Sequence, residues 1–153
     1  MENEIFNDDI YMNITDFLLA CQIKPNVAGF GYLRVAIRLC VEDGELISRV
    51  TKKLYPAVAE VCGVSSGTVE RGIRTAIEQA YNRGGLLEVN KFGGAIIYKN
   101  DYKLSNSEMI STVAELINMK RNRQTSKEKT AWPLLSGIIW RKNNIKMSQL
   151  FDK

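Results

Sequence analysis

Apolar residues recur along this chain at the intervals of helices packed by one face. Within residues 66–82, Val69, Ile73, Ala76, Ile77 and Ala80 fall on about a third of a helix circumference. Gly67, Glu70, Arg71, Arg74 and Glu78 fall on the other side. The same spacing predicts a helix over residues 13–23, with Asn13 or Thr15 as N-cap and Ile14, Phe17, Leu18 and Cys21 inward. The stretch KPNVAGFG, residues 24–31, reads as a break. A second helix follows over residues 32–43, with Leu33, Ala36, Ile37 and Cys40 inward and Arg34 and Arg38 outward. A short helix over residues 46–53 precedes another from Pro56 to Cys62, where proline suits the first turn because its missing N–H has no intrahelical partner. Gly63 is a left-handed stop, and Ser65 or Ser66 caps the helix running to Asn82. Residues 105–120 give a last strong helix, capped by Ser105 or Ser107, with Met109, Ile110, Val113, Leu116 and Ile117 inward. Between these two helices, the glycine-punctuated residues 83–102 are compatible with a helical turn, a small hairpin or a loop, and AIIY (95–98) is β-like.

The composition narrows the chemistry. The 153 residues are enough for one domain with a substantial core, and no apolar run approaches the roughly 18 residues of a membrane span. The acidic, polar first residues do not resemble a secretory or transit signal, so the expected compartment is the cytoplasm. Cys21, Cys40 and Cys62 are widely spaced in apolar surroundings and read as reduced core thiols. Histidine is absent, which removes the commonest general base and zinc ligand. No P-loop, paired-cysteine site or converging carboxylates take its place, so neither a catalytic site nor a metal or other cofactor is expected. Charge is uneven: residues 1–60 carry a net −3 and residues 61–153 a net +7. The basic half suits an anionic partner, nucleic acid ahead of a membrane surface.

The constellation with the most chemistry lies in AEVCGVSSGTVERGIRTAI, residues 59–77. A helix-turn-helix needs a small residue where its helices approach, a glycine at the turn, an apolar residue just after it, and a capped second helix. Ala59, Gly63, Val64, Ser65 and the pair Val69 and Ile73 fill these roles, although Gly72 stands one place before Ile73, where an apolar residue is expected. Outward arginines on such a helix can reach guanine edges or bond phosphates. On pattern alone, an ordinary helical pair with a solvated face accounts for the same residues.

Four segments carry a resemblance that covers over two-thirds of the chain: GYLRVAI (31–37), VTKKLYPAVAE (50–60), VERGIRTAIEQAYNRG (69–84) and SNSEMISTVAELI (105–117). In order and spacing they resemble the C-terminal DNA-binding effector domain of the stage-zero sporulation response regulators. The resemblance implies an all-α, winged-helix-like domain of about six helices around a helix-turn-helix. It would occupy residues 13–119, between an acidic leader (1–12) and a basic extension (120–153). It implies a sequence-specific transcription regulator that reads a double-stranded operator in the major groove, with monomers pairing on tandem sites. Arg71 and Arg74 match the family's base-contacting arginines and Glu70 the acidic neighbour. Ser65, Ser66, Thr68, Thr75 and Arg83 fall at cap and backbone-contacting positions. Thr68 and Thr75 stand where the family has an arginine and a histidine, and Gly67 differs as well, which alters the fine sequence preference. The family contacts the RNA polymerase sigma factor just after the recognition helix. Leu86 and Phe92 are the residues here that would do so, and core packing explains them equally well.

The family's regulators carry a receiver domain, for which residues 1–12 leave no room, so a stand-alone effector is the expectation. Lys120, Arg121 and Arg123 open a basic stretch readable as a phosphate-contacting arm or as a solvated linker. Trp132 and Trp140 in the following apolar segment suit a core or a docking surface. The alternative function is a protein-interaction module that binds a sigma factor or a full-length regulator as an antagonist or modulator.

Overall fold

The computed structural model describes residues 9–93 and 102–123, apart from the side chains of residues 92 and 93. Six α-helices form, and no strand occurs among the described residues: α1 (Asp9–Ala20), α2 (Ala28–Glu42), α3 (Tyr55–Cys62), α4 (Ser66–Asn82), α5 (Glu88–Gly93) and α6 (residues 106–123). The β-like residues 95–98, where a wing would fall, lie outside the described residues, as do Trp132, Trp140 and the apolar segment around them.

The inward helix faces are those the periodicity indicates. Every inward residue named above for α1, α2, α4 and α6 is buried. They join one hydrophobic core with Phe30, Leu54, Tyr55, Val58 and Leu104. Cys21 and Cys40 belong to this core, and burial pushes both thiols up to about 12. All three cysteines are free.

The fold begins earlier than its acidic leader suggests. Helix α1 starts at Asp9, whose carboxylate lies in the first turn and complements the helix dipole, and Tyr11 is buried. Neither Asn13 nor Thr15 is a cap. Thr15 sits inside the helix and donates its hydroxyl to the Tyr11 carbonyl at 2.9 Å. Helix α2 likewise begins at Ala28, so Gly29 and Gly31 lie inside it rather than in a break. A Cβ at Gly29 would collide with the Gly72 carbonyl oxygen of α4, and one at Gly72 would come within 2.7 Å of the Tyr32 ring. Helices α2 and α4 therefore cross backbone to backbone, and Gly72 replaces the expected apolar residue because a side chain does not fit.

Arg34 and Arg38 are not outward. The Arg34 guanidinium lies over the rings of Tyr11 and Phe30, 4.6 and 4.9 Å from their centroids. The Arg38 side chain is 12% exposed and pairs with Glu42 at 3.2 Å. Long aliphatic stems let both residues cover apolar surface while the charged ends find partners.

The expected helix over residues 46–53 is a 3-10 helix, Gly44–Arg49, followed by a π turn, Val50–Leu54. Asp43 caps the first, accepting from the Glu45 N–H at 3.1 Å. Pro56 has no N–H to donate backwards, and the Tyr55 N–H closes the wide turn on the Val50 carbonyl.

Helix α6 opens with a capping box. The Ser105 hydroxyl accepts from the Glu108 N–H at 3.2 Å, and the Glu108 carboxylate accepts from the Ser105 N–H at 2.8 Å. Ser105, not Ser107, is thus the cap. The Tyr102 hydroxyl also donates to Glu108 at 2.6 Å. The Tyr102 and Ser105 bonds lower the Glu108 pKa. A lowered carboxylate pKa stabilises the fold above the ordinary value of about 4.3 and is lost as pH falls through the folded value. Glu108→Gln is expected to flatten the acid side of the stability profile, measured by thermal melts between about pH 3 and 6. An unchanged profile would show that the box contributes nothing at this site.

The chain divides into two compact units at Ile117–Asn118. In the second, residues 118–123 are helical and Met119, Lys120, Arg121 and Arg123 are exposed. These three cations therefore begin as a helix end, not as an irregular linker.

Candidate nucleic-acid interface

The helix-turn-helix is built by local rules. Gly63 takes φ +67°, and its N–H and that of Val64 both close on the Ala59 carbonyl, ending α3. Ser65 is extended, and its hydroxyl accepts from the Thr68 N–H at 3.2 Å, starting α4. The Thr68 hydroxyl meets the Ser65 hydroxyl at 2.8 Å, so both side chains are engaged in the cap. Ser66 is the first residue of the helix, half-buried, and caps nothing. Ser65→Ala is expected to cost about 1 kcal/mol of stability, read from urea unfolding. A loss near zero would mean that Thr68 and water replace the cap.

With its inner face locked against α2, α4 turns Arg71, Arg74, Thr75 and Glu78 to solvent. The Arg74 guanidinium pairs with the Glu70 carboxylate one turn earlier and is still 61% exposed. At this exposure the pair adds little stability, but it sets the direction of the guanidinium.

Helix α6 fixes the outer flank of α4. The Asn106 amide donates to the Tyr55 hydroxyl and to the Glu70 backbone carbonyl, each at 3.1 Å. Burial is the main cause of a raised Tyr55 pKa, partly offset by this bond. Lys103 lies 3.9 Å from Glu78. A cleft of about 320 Å³ runs between the two helices, with Arg74, Lys103 and Asn106 on its walls. The sequence reading missed Asn106, which lies between two serines considered only as caps, and it missed Tyr55 and Lys103 as well.

Other site candidates have structural duties. Arg83, placed at a backbone-contacting position, donates to the Gln22 carbonyl at 3.0 Å and ties the end of α4 to the α1–α2 loop. Gln22 holds φ +63° there, and Arg83 satisfies the carbonyl that this turn exposes. Leu86 is 5% exposed in the core, so packing accounts for it and it offers no surface to a sigma factor. The side chain of Phe92 lies outside the described residues.

No cluster of three metal-binding side chains occurs among the described residues, nor does any helix there have the length and apolarity to cross a membrane. The family model for the sporulation initiation factor Spo0A C terminal matches residues 14–117. That span holds α2 to α5, most of α1 and α6, and the whole helix-turn-helix. The chain thus belongs to the family of C-terminal domains of the sporulation initiation factor Spo0A, DNA-binding effector domains of transcription regulators.

Proposed function

We propose that this domain is a sequence-specific transcription regulator that reads the major groove with α4. The carrying observation is the asymmetry of that helix. Its inner face crosses α2 at glycines and its outer face projects Arg71 and Arg74. A helix seated so closely keeps its register when it enters a groove, and arginine is the side chain that pairs bidentately with guanine. In this reading Glu70 aims Arg74 before contact, and on binding the Arg74 guanidinium can exchange to a guanine edge or a phosphate, leaving the Glu70 carboxylate to accept from a cytosine amine. Ser65, Thr68 and Thr75 lie at the leading end and flank, where hydroxyls suit the sugar–phosphate backbone. Lys120, Arg121 and Arg123 are further phosphate contacts in the proposal, as is pairing of monomers on direct repeats.

Selection of bound duplexes from a random pool tests the reading directly. The wild type should enrich a short motif, recurring in tandem if monomers pair. Enrichment of no motif, together with co-purification of a protein partner, would replace a DNA reader with the protein-interaction module.

A further inference from the structure

A second cleft, about 610 Å³, opens beside the first and shares Ser107 with it. Its polar walls are Ser48, Arg49, Thr51, Lys52 and Ser107. Arg49, Lys52 and the neighbouring Lys53 are exposed, and no acidic side chain lines this cleft. The 3-10 helix and π turn that carry these residues come immediately before the first helix of the helix-turn-helix. In a helix-turn-helix the first helix crosses the duplex backbone while the second occupies the groove, so this segment adjoins that crossing. From Ser107 the surface continues into the first cleft, to Lys103 and then Arg74 on the reading helix.

From this continuity we infer that the second cleft is a phosphate track, in which Arg49 and Lys52 grip the sugar–phosphate backbone of one strand while α4 lies in the adjoining groove. The inference rests on the DNA-reading proposal and adds a contact surface to it. Hydroxyls of Thr51 and Ser107 can donate to phosphate oxygens, while that of Ser48 is already given to the Glu45 carbonyl at 2.8 Å, and the two cations supply the counterion-releasing charge. Because phosphates are the same at every base pair, this surface contributes affinity without sequence preference.

The test is the salt dependence of binding to two 30-base-pair duplexes, one carrying the motif from the selection and one a scrambled version. Removing both charges in an Arg49→Gln, Lys52→Gln variant should reduce the slope of log K against log salt by about 1.8. Between about 50 and 200 mM salt, the fall in affinity then shrinks by about 12-fold relative to wild type, equally on both duplexes. Lys52→Arg should keep the wild-type slope, and the exposure of both residues leaves the melting temperature as the check on folding. An unchanged slope in a folded double variant overturns the track. So does a loss confined to the motif duplex, which would make these residues base readers. If the wild type binds both duplexes equally, the base-reading proposal fails while the slope still decides the track.

Discussion

Gly29→Ala is expected to destabilise the domain by about 3 kcal/mol and to lower its melting temperature by about 10 °C or more. The new methyl would be driven into the carbonyl oxygen of Gly72, with the carbonyl carbon at 2.7 Å and the Ala76 Cβ at 2.8 Å. Backbone and a short Cβ cannot rotate away as a long side chain can, so α2 and α4 must separate. Gly31 provides the control within the same helix. A Cβ there meets nothing within 4 Å, and Gly31→Ala should stabilise by up to about 1 kcal/mol through helix propensity. Gly72→Ala falls between the two, because its nearest obstacle is the Tyr32 ring, which can tilt. Thermal melts of the three variants decide the matter. If Gly29→Ala melts within about 2 °C of wild type, the two backbones are not in contact.

The second large effect concerns binding. Arg71→Ala and Arg74→Ala should each weaken the motif duplex by about 1–3 kcal/mol, roughly 5- to 150-fold, and relax the preference at one base pair. The scrambled duplex should lose much less. A loss equal on both duplexes would assign the arginine to phosphates instead of bases. The two residues are expected to differ in kind. Arg74 enters binding already engaged with Glu70, whereas Arg71 is simply exposed, so Glu70→Ala should alter the Arg74-dependent preference and leave the Arg71-dependent one intact. Selection experiments on Glu70→Ala and on Arg71→Ala, compared position by position along the motif, check this coupling.

How much of this was readable beforehand depends on the kind of signal. The buried residues of α4 were legible because a 3.6-residue period leaves few alternatives, and Pro56, Gly63 and Ser65 mark helix ends through local chemistry alone. Glycine was ambiguous. Gly29 and Gly31 look like a break unless the facing residue is known, and the partner of Gly29 lies 43 positions away at Gly72. Arg34 and Arg38 misled for a related reason, since a hydropathy pattern counts their charge and ignores the stems that cover the core. Tyr11 was hidden by the acidic residues around it. Within the candidate interface, the exposure of Arg71 and Arg74 followed from helical spacing. The bridge from Asn106 to Tyr55 and Glu70 did not, because it joins elements far apart in the chain. Arg83 looked like a nucleic-acid contact for the same reason. Nothing local reveals the Gln22 carbonyl that receives it.

The glycine crossing also bears on how such a domain diversifies. Since α4 is seated through its inner face on α2 and through the Glu70 backbone carbonyl on Asn106, the exposed side chains at positions 71, 74, 75 and 78 carry little of the burden of folding. Mutations can accumulate there and retune the operator without first surviving a stability filter. Drift in target preference among descendants of this chain should therefore concentrate at those four positions, while Gly29 and Gly72 stay invariant.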